Sequence, residues 1–473
     1  MYRAYITRVT NIRPAENADR LNACEVFGNT TIIDKTITED DIVVYFPSDG
    51  QISIEFGEKN NLFCRKDEAG NNVGGFIDPV KRRITAIKLR GNRSDGLVLP
   101  LSCLNYCYEH GDASIELCVG DIIEGCVNGH DICQKYIPRH QNKQNNMNAS
   151  NHTRKVKVEV SPLFTEHADT EQLVYNLSAF KPGDQIEITL KMHGTSQRTG
   201  YLPVFKGYKR TFWDKILRRE GAPIYDWGYV SGTRRTVLED YEGGYYGSNA
   251  FREVHSKKFE GKLWKGETVY YEVVGFTDTG VPIMGSCSNE KLGKDFVKQY
   301  GKETIFSYGC EPHPETWVPH DHCELEPRKP KSDIYVYRMT ITNEDGQVVE
   351  YTPDFMRYRC EQMGVKTVPV FAKATIDVEG VHVYAPDSEL YGFIHENENV
   401  GDTVKKVAEK FYDGPDPVGK THIREGVVVR IINRPKFCAY KHKNFAFKVL
   451  SGIIVEQIEK NNTVIDSDIL SEM

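Results

Sequence analysis

Apolar and polar positions change rhythm once along this chain. Up to about residue 137 they form short apolar runs, at 5–12, 23–27, 41–46, 83–89 and 97–99, each ended by Asn, Asp, Gly or Pro clusters. Runs of this length between turn-forming residues predict strands, and so many in one segment predict a small barrel or sandwich. Residues 138–155 break the pattern: they are polar, hold five asparagines between Asn142 and Asn151, and have the composition of a flexible linker. Beyond it, Ile186, Ile188, Leu190 and Met192 alternate with Glu187, Thr189, Lys191 and His193. That period of two marks a half-buried strand and turns Lys191 away from the apolar face. Further strands are expected at 268–275, 334–342, 427–432 and 445–450. The clearest helix carries Val404, Val407, Ala408 and Phe411, with Asp402 or Thr403 as N-cap and Gly414 near its end. Strands and helices do not alternate in a βαβ rhythm. The expected fold class is therefore α+β: a mostly antiparallel domain at 156–473, preceded by an all-β barrel-like domain at 1–137 and the linker at 138–155.

Composition narrows the function classes. A chain of 473 residues is too long for one core, and 39% hydrophobic with 27% charged residues is ordinary for a soluble globular protein. No apolar run approaches the roughly 20 residues of a membrane span, and the start MYRAYITRVT lacks signal-peptide character. Twelve cysteines without dense regular spacing point to a reducing, cytoplasmic setting. A net charge of −7 excludes attraction of nucleic acid by the whole surface, so any such site must be a local patch. One candidate is Lys81, Arg82, Arg83, Lys88, Arg90 and Arg93, six positive charges in thirteen residues. Such a cluster can follow a phosphate backbone, or it can be an ordinary solvated strand face. No coiled coil or long apolar seam is evident, and a monomer is expected.

The chemistry starts from KMHGTS at Lys191 to Ser196. Alone, a lysine before a glycine turn reads as a surface lysine. Downstream, however, come TVYYEVVGF around Glu272, IYVYRMT around Tyr337, EGVVVR from Glu425, and YKHKNFAFK with Lys441 and Lys443. In this order they resemble motifs I, III, IIIa, IV and V of the covalent nucleotidyltransferases, a superfamily of RNA ligases, DNA ligases and mRNA capping enzymes. The resemblance covers most of residues 156–456. It is greatest to the ATP-dependent RNA ligases, where KxHGT and KxKN forms of motifs I and V are typical. His193 departs from the aspartate of many DNA ligases.

The resemblance implies a role for each residue. Lys191 would attack the α-phosphorus of ATP and carry AMP as a phosphoramidate. It must lose its proton first, against a reference pKa of about 10.4. A divalent cation, Mg2+ or Mn2+, would favour the free amine and neutralise the phosphates. Glu425 would bind that metal or its water, Glu272 would hold the ribose hydroxyls, Tyr337 would stack on adenine, and Lys441 and Lys443 would contact the α-phosphate. Apart from the motifs, the carboxylates read as solvated strand residues and the tyrosine as core packing. Either Arg234 or Arg235 would touch the nucleic-acid end, with Arg198 a further candidate; a structural salt bridge is the alternative for each. An insert at 201–227 blurs the register there. AMP would then pass to a 5′-phosphate, and a 3′-hydroxyl would displace it to form a phosphodiester.

The N-terminal segment also has a family likeness. NIRPAENADRLNACEVFG at 11–28 resembles the opening of OB-fold tRNA-binding modules, and RGNRSDGLVLPL at 90–101 is similar to a sequence in RNA ligases with an N-terminal OB domain. That likeness implies RNA as partner, as nicked duplex RNA or an RNA–DNA hybrid, and nick repair as the task. A DNA ligase or a capping enzyme would usually place its OB domain after the catalytic domain, and only 16 residues follow the segment ending at Gln457. A nucleic-acid-binding protein that has lost catalysis is the reading from a different class. Finally, Cys310, His313, His320, His322 and Cys323 fall within fourteen residues. Their spacing matches no standard zinc finger, so the segment reads as an irregular insertion, with structural zinc as the alternative. Cys103 and Cys107 read as buried thiols.

Overall fold

Extended strands in antiparallel pairs dominate the computed structural model, with few helices. The structure describes residues 2–137 except 68, 69 and 71, residues 160–313 except 218–220, 239–240 and 243–245, residues 329–394 except 385–389, and residues 399–460. The linker expected at 138–155 lies outside the described residues, as do His320, His322 and Cys323. No helix among the described residues is long and apolar enough to cross a membrane.

The chain divides into two units, residues 1–139 with 290–296 and 448–459, and residues 140–289 with 297–447 and 460–473. In the first, a sheet places Ala4–Thr7 between Val43–Phe46 and Ile122–Ile123, with Leu97–Pro100 at the edge. A second sheet holds Thr10–Pro14, Leu21–Val26 and Asn29–Asp34. Ile6, Val44, Phe46, Phe56, Leu104 and Ile132 are core residues. Cys103 and Cys107 are buried there, as expected.

The second unit has two seven-stranded sheets. In one, Gln185–Lys191 lies between Gly426–Ile431 and Val370–Ile376, and Cys438–Lys443 flanks Gly426–Ile431. Ile186 and Ile188 pack with Val404, Val407 and Ala408 of the helix Val400–Glu409. Alternation therefore sends Glu187, Thr189 and Lys191 to the opposite face. In the other sheet, Glu267–Gly275 lies between Thr195–Lys209 and Ser332–Thr342.

Three local expectations need correction. The segment at 445–450 is helical, within Phe445–Lys460. Asn444 ends the strand and accepts the Phe447 N–H at 2.7 Å, starting the helix, while a run apolar at every position but Lys448 hides the helical period. The helix expected from 402 starts earlier, because Asn399 caps it by accepting the Gly401 N–H at 3.0 Å. The run at 5–12 splits into Ala4–Thr7 and Thr10–Pro14, which pair in different sheets.

Candidate functional site

Sheet register assembles the lysines. Lys191 pairs with Gly426, and Gly426 pairs with Lys443, so three adjacent strands meet on one rung. One rung along the same face, Thr189 pairs with Val428 and Val428 with Lys441. Gly426 is required by crowding: with φ at 151°, a Cβ there would lie 2.0 Å from the His442 carbonyl oxygen. The residue before it, Glu425, is only 1% exposed. Its Oε1 lies 3.0 Å from both Lys191 Nζ and Lys443 Nζ, and its Oε2 lies 3.4 Å from His193 Nδ1.

Burial pushes the Glu425 carboxyl up, but the two ammoniums and His193 outweigh it and hold the group well below the usual carboxylate range. Lys441 has the opposite problem. Burial, and then the charges of Lys443, Lys191 and Arg234, push its ammonium down to about 7, against a weaker pull from Glu425. His193 is pushed below its ordinary value, chiefly by burial, between the ring edges of Phe306 at 4.6 Å and Phe447 at 4.7 Å.

The other sheet supplies the facing wall. Glu272 pairs with Ser196, and its Oε1 accepts the Gly194 N–H at 3.1 Å. The His193 N–H donates to Tyr308 Oη at 2.6 Å, so both peptides after Met192 are fastened. Gly194 leaves no room for a side chain, since a Cβ would lie 2.4 Å from the Val273 carbonyl oxygen. Register along Ser332–Thr342 shifts between the partners of Tyr270 and Tyr271, leaving Tyr337 as the extra residue of a bulge. This breaks the simple face shared by Tyr335, Tyr337, Met339 and Ile341 and gives Tyr337 and Arg338 a common neighbour, His167. Tyr337 Oη lies 3.0 Å from Ser196 Oγ.

One cavity of the second unit is lined by Lys191, Glu272, Tyr337, Lys441 and Arg234 together, and Glu425 and Lys443 adjoin it through Lys191. Of the two arginines left open, Arg234 reaches the cavity, with Nη1 2.7 Å from Asp169 Oδ1. Arg235 is about half exposed, with Nη2 3.6 Å from Asp169. Arg198 is 2% exposed, lies 4.3 Å over the Phe164 ring and donates to the Arg234 carbonyl at 2.6 Å. It braces the Arg234 segment and does not face the cavity.

Motif reasoning missed part of this lining: His167, Glu187, Arg357, Arg430 and Phe437. His167 Nδ1 lies 2.9 Å from Arg338 Nη1. A guanidinium can only donate, so Nδ1 accepts and the neutral ring carries its proton on Nε2. Burial and then Arg338 push His167 well below its ordinary pKa, in keeping with a neutral ring. Its ring sits 5.4 Å from Tyr337 and 5.7 Å from Phe437. Arg357 grips both oxygens of Glu187 at 3.1 and 2.8 Å. An isolated histidine and an Arg–Glu pair 170 residues apart carry no sequence signal of this proximity.

The basic cluster belongs to the first unit and is largely tied to its own chain. Arg83 is nearly enclosed, with Nη2 3.1 Å from Asp49 and its guanidinium 4.9 Å over Tyr136. Arg82 donates to the Ile52 carbonyl at 3.1 Å, Arg90 to Asn17 at 3.1 Å and Lys88 to Leu292 at 2.7 Å. Lys88, Arg90 and Arg93 are nonetheless exposed, on the hairpin of Ile87–Leu89 and Asn92–Ser94. Among the described residues, no three His, Cys, Asp or Glu side chains converge as a metal site, and Cys310 is buried.

No known family profile and no curated protein matches the chain. Solved structures do. An apo mutant of Naegleria gruberi RNA ligase aligns over 94% of this chain and 97% of its own, at 16% identity and a TM-score of 0.50. Another mutant of that ligase, with ATP and Mn, aligns over 94% and 98%, also at 16% identity and 0.50. Over nearly its whole length, the chain shares the fold of that RNA ligase.

Proposed function

We propose that this chain is an ATP-dependent RNA ligase joining a 3′-hydroxyl to a 5′-phosphate, with Lys191 as nucleophile. The observation that carries the reading is the convergence of Lys191, Lys441, Glu272 and Tyr337 on one cavity, with Glu425 bridging Lys191 and Lys443. Lys191 Nζ forms a bond to the α-phosphorus of ATP while the bond to pyrophosphate breaks. The lysyl-AMP then gives its AMP to a 5′-phosphate oxygen, and a 3′-hydroxyl oxygen attacks that phosphorus with AMP leaving. Tyr337 stacks on the base, and Glu272, fixed by the Gly194 N–H, meets the ribose. Lys441 and Lys443 stabilise charge on the phosphate through both adenylyl transfers. Arg234 meets the nucleic-acid end; Arg235, more exposed, is the weaker choice.

Glu425 is fully buried and its carboxylate is shared between Lys191 and Lys443, a hard oxygen donor at the cavity that suits a hard cation as an added partner. Mg2+ or Mn2+ held by Glu425 would neutralise phosphate charge and favour the free Lys191 amine. Residues 1–137, followed by a linker at 138–155, act as an OB-like RNA-binding domain, and Lys88, Arg90 and Arg93 are its exposed phosphate contacts. A nick in duplex RNA or an RNA–DNA hybrid, repaired by a cytoplasmic monomer, is the substrate and setting that sequence likeness supports.

The test incubates the protein with Mg2+ or Mn2+ and α-labelled ATP or GTP, then follows label on denatured protein beside Lys191→Ala. Label from ATP that is absent in the variant supports lysyl-AMP chemistry. Label from GTP alone would favour a capping enzyme, and no label from either would leave a binding protein without catalysis.

A further inference from the structure

The described residues of the insert at 201–227 include the far part of a long hairpin. Thr195–Lys209 pairs with Ala222–Gly232 continuously from Arg198↔Gly232 to Lys209↔Ala222. The neighbouring strand Glu267–Gly275 follows Thr195–Lys209 only as far as Gly200↔Thr268. The Tyr201 carbonyl still accepts the Gly266 N–H at 2.9 Å and the Phe205 N–H donates to the Val160 carbonyl at 2.8 Å, and beyond Phe205 the hairpin continues as a two-stranded arm. Two-stranded ribbons are marginal by themselves, and aromatic contacts supply the packing: Tyr201 stacks on Tyr229 at 4.7 Å, and Phe205 meets Tyr225 at 5.9 Å and Tyr208 at 5.1 Å.

The tip is built to present apolar rings. Thr211 and Asp214 form a capping box that starts the short helix Phe212–Ile216. Phe212 is 71% exposed and Trp213 68%, with Ile216 and Leu217 at 55%. Charge accompanies them. Residues 201–227 hold seven aromatics and six Lys or Arg against three Asp or Glu, in a chain of net charge −7. Lys206, Lys209 and Arg210 are exposed.

We propose that this arm is a binding surface for unpaired nucleic acid. Phe212 and Trp213 stack on bases, while Lys206, Lys209 and Arg210 meet phosphates. The proposal rests on the reading that the substrate is nucleic acid. Exposed rings beside cations suit single strands, whose bases offer free faces; a duplex offers mainly phosphates. A second copy of the chain would bring the same positive arm against itself. A five-residue helix with Asp214 within it is poorly suited to lying along a lipid surface.

The test compares the full chain with F212A/W213A, K209Q/R210Q and the conservative W213F, using fluorescence anisotropy with a labelled single-stranded RNA and its duplex. Base stacking of this kind sets the expected loss for F212A/W213A at about tenfold or more on single strands. The loss on duplex should be smaller, W213F should retain most binding, and label from α-labelled ATP should persist in every variant. K209Q/R210Q should flatten the salt dependence. Unchanged single-strand affinity in F212A/W213A overturns the proposal. So does wild-type binding to phosphatidylcholine–phosphatidylserine vesicles that F212A/W213A loses while keeping RNA affinity, or a wild-type dimer that it dissolves in the same way. If wild-type protein takes no AMP, the ligase reading fails, and anisotropy still decides the arm independently.

Discussion

Replacing Lys441 by methionine should make the protein more stable and less active. The drop of its pKa from 10.5 to about 7 means that folding holds an ammonium where burial and neighbouring cations oppose it. At 1.36 kcal/mol for each pKa unit, that is about 5 kcal/mol as an upper bound. The side chain opens on the cavity, where water screens it, so about 2–3 kcal/mol is the working figure. The sign follows from linkage. Between pH 7 and 10.5 the unfolded chain binds the proton that the folded chain has lost, so stability rises with pH across that window. Below 7 both states are protonated and the penalty is complete. Lys441→Met has the same stem length without the charge and should raise the thermal midpoint by roughly 3–5 °C at pH 6.5. That advantage should shrink toward pH 10. Differential scanning fluorimetry across pH 6–10 measures it, and label from α-labelled ATP should fall by about 10²–10³-fold in the same variant. A variant no more stable than wild type at pH 6.5, or an advantage that does not change with pH, would refute the account of Lys441 as a strained buried cation.

The remaining predictions concern the frame of the cavity. His167→Phe keeps the ring but removes the Nδ1 acceptor of Arg338 as well as the Nε2 donor; KM for ATP in self-adenylylation should rise about tenfold with little change in kcat, and a fall confined to kcat would count against a part for His167 in shaping the nucleotide cavity. Gly194→Ala must displace Glu272 or the Val273 peptide, because its Cβ would lie 2.9 Å from Glu272 Cγ and 2.4 Å from the Val273 oxygen. Its unfolding free energy should fall by about 1–3 kcal/mol in urea titration, with ATP binding weakened in parallel. Asn444→Ala removes the cap of Phe447 and the side-chain bond to the Arg424 carbonyl at 2.6 Å, and should cost about 2 kcal/mol by the same measurement.

The strand that carries Lys191 was legible because burial on one face imposes a period of two, and Ile186, Ile188 and Leu190 are indeed buried. The motif residues were legible through their order along the chain, which resembles that of the nucleotidyltransferase motifs, and none of them stands out alone. What lay beyond reading was contact between segments that share no pattern. His167 is placed by Arg338, and Arg338 is turned toward it by a bulge at Tyr337 that depends on the register with the neighbouring strand. Helical character at 445–450 was hidden because a helix apolar at nearly every position and a buried strand present the same run of residues. Asn444, whose side chain settles the matter, reads from sequence only as part of a lysine motif.

Charge shows where this fold departs from economy. Elsewhere in the second unit two buried cations are matched by carboxylates, Arg359 with Glu267 and Arg338 with Glu350, while Arg198 and Arg252 donate to neutral oxygens. In the cavity the count is uneven. Glu425 is shared by Lys191 and Lys443, while Lys441 stands close enough to all of these charges for its proton to be lost near neutrality. An anionic ligand relieves such an imbalance, and the triphosphate of ATP is an anion of the right kind. If that is why the cations are held together, ATP should stabilise wild-type protein against heat more than it stabilises Lys441→Met. It should also raise the apparent pKa of Lys441, flattening the rise of stability above pH 7. Equal stabilisation of the two proteins by ATP would mean that the imbalance is unrelated to nucleotide binding.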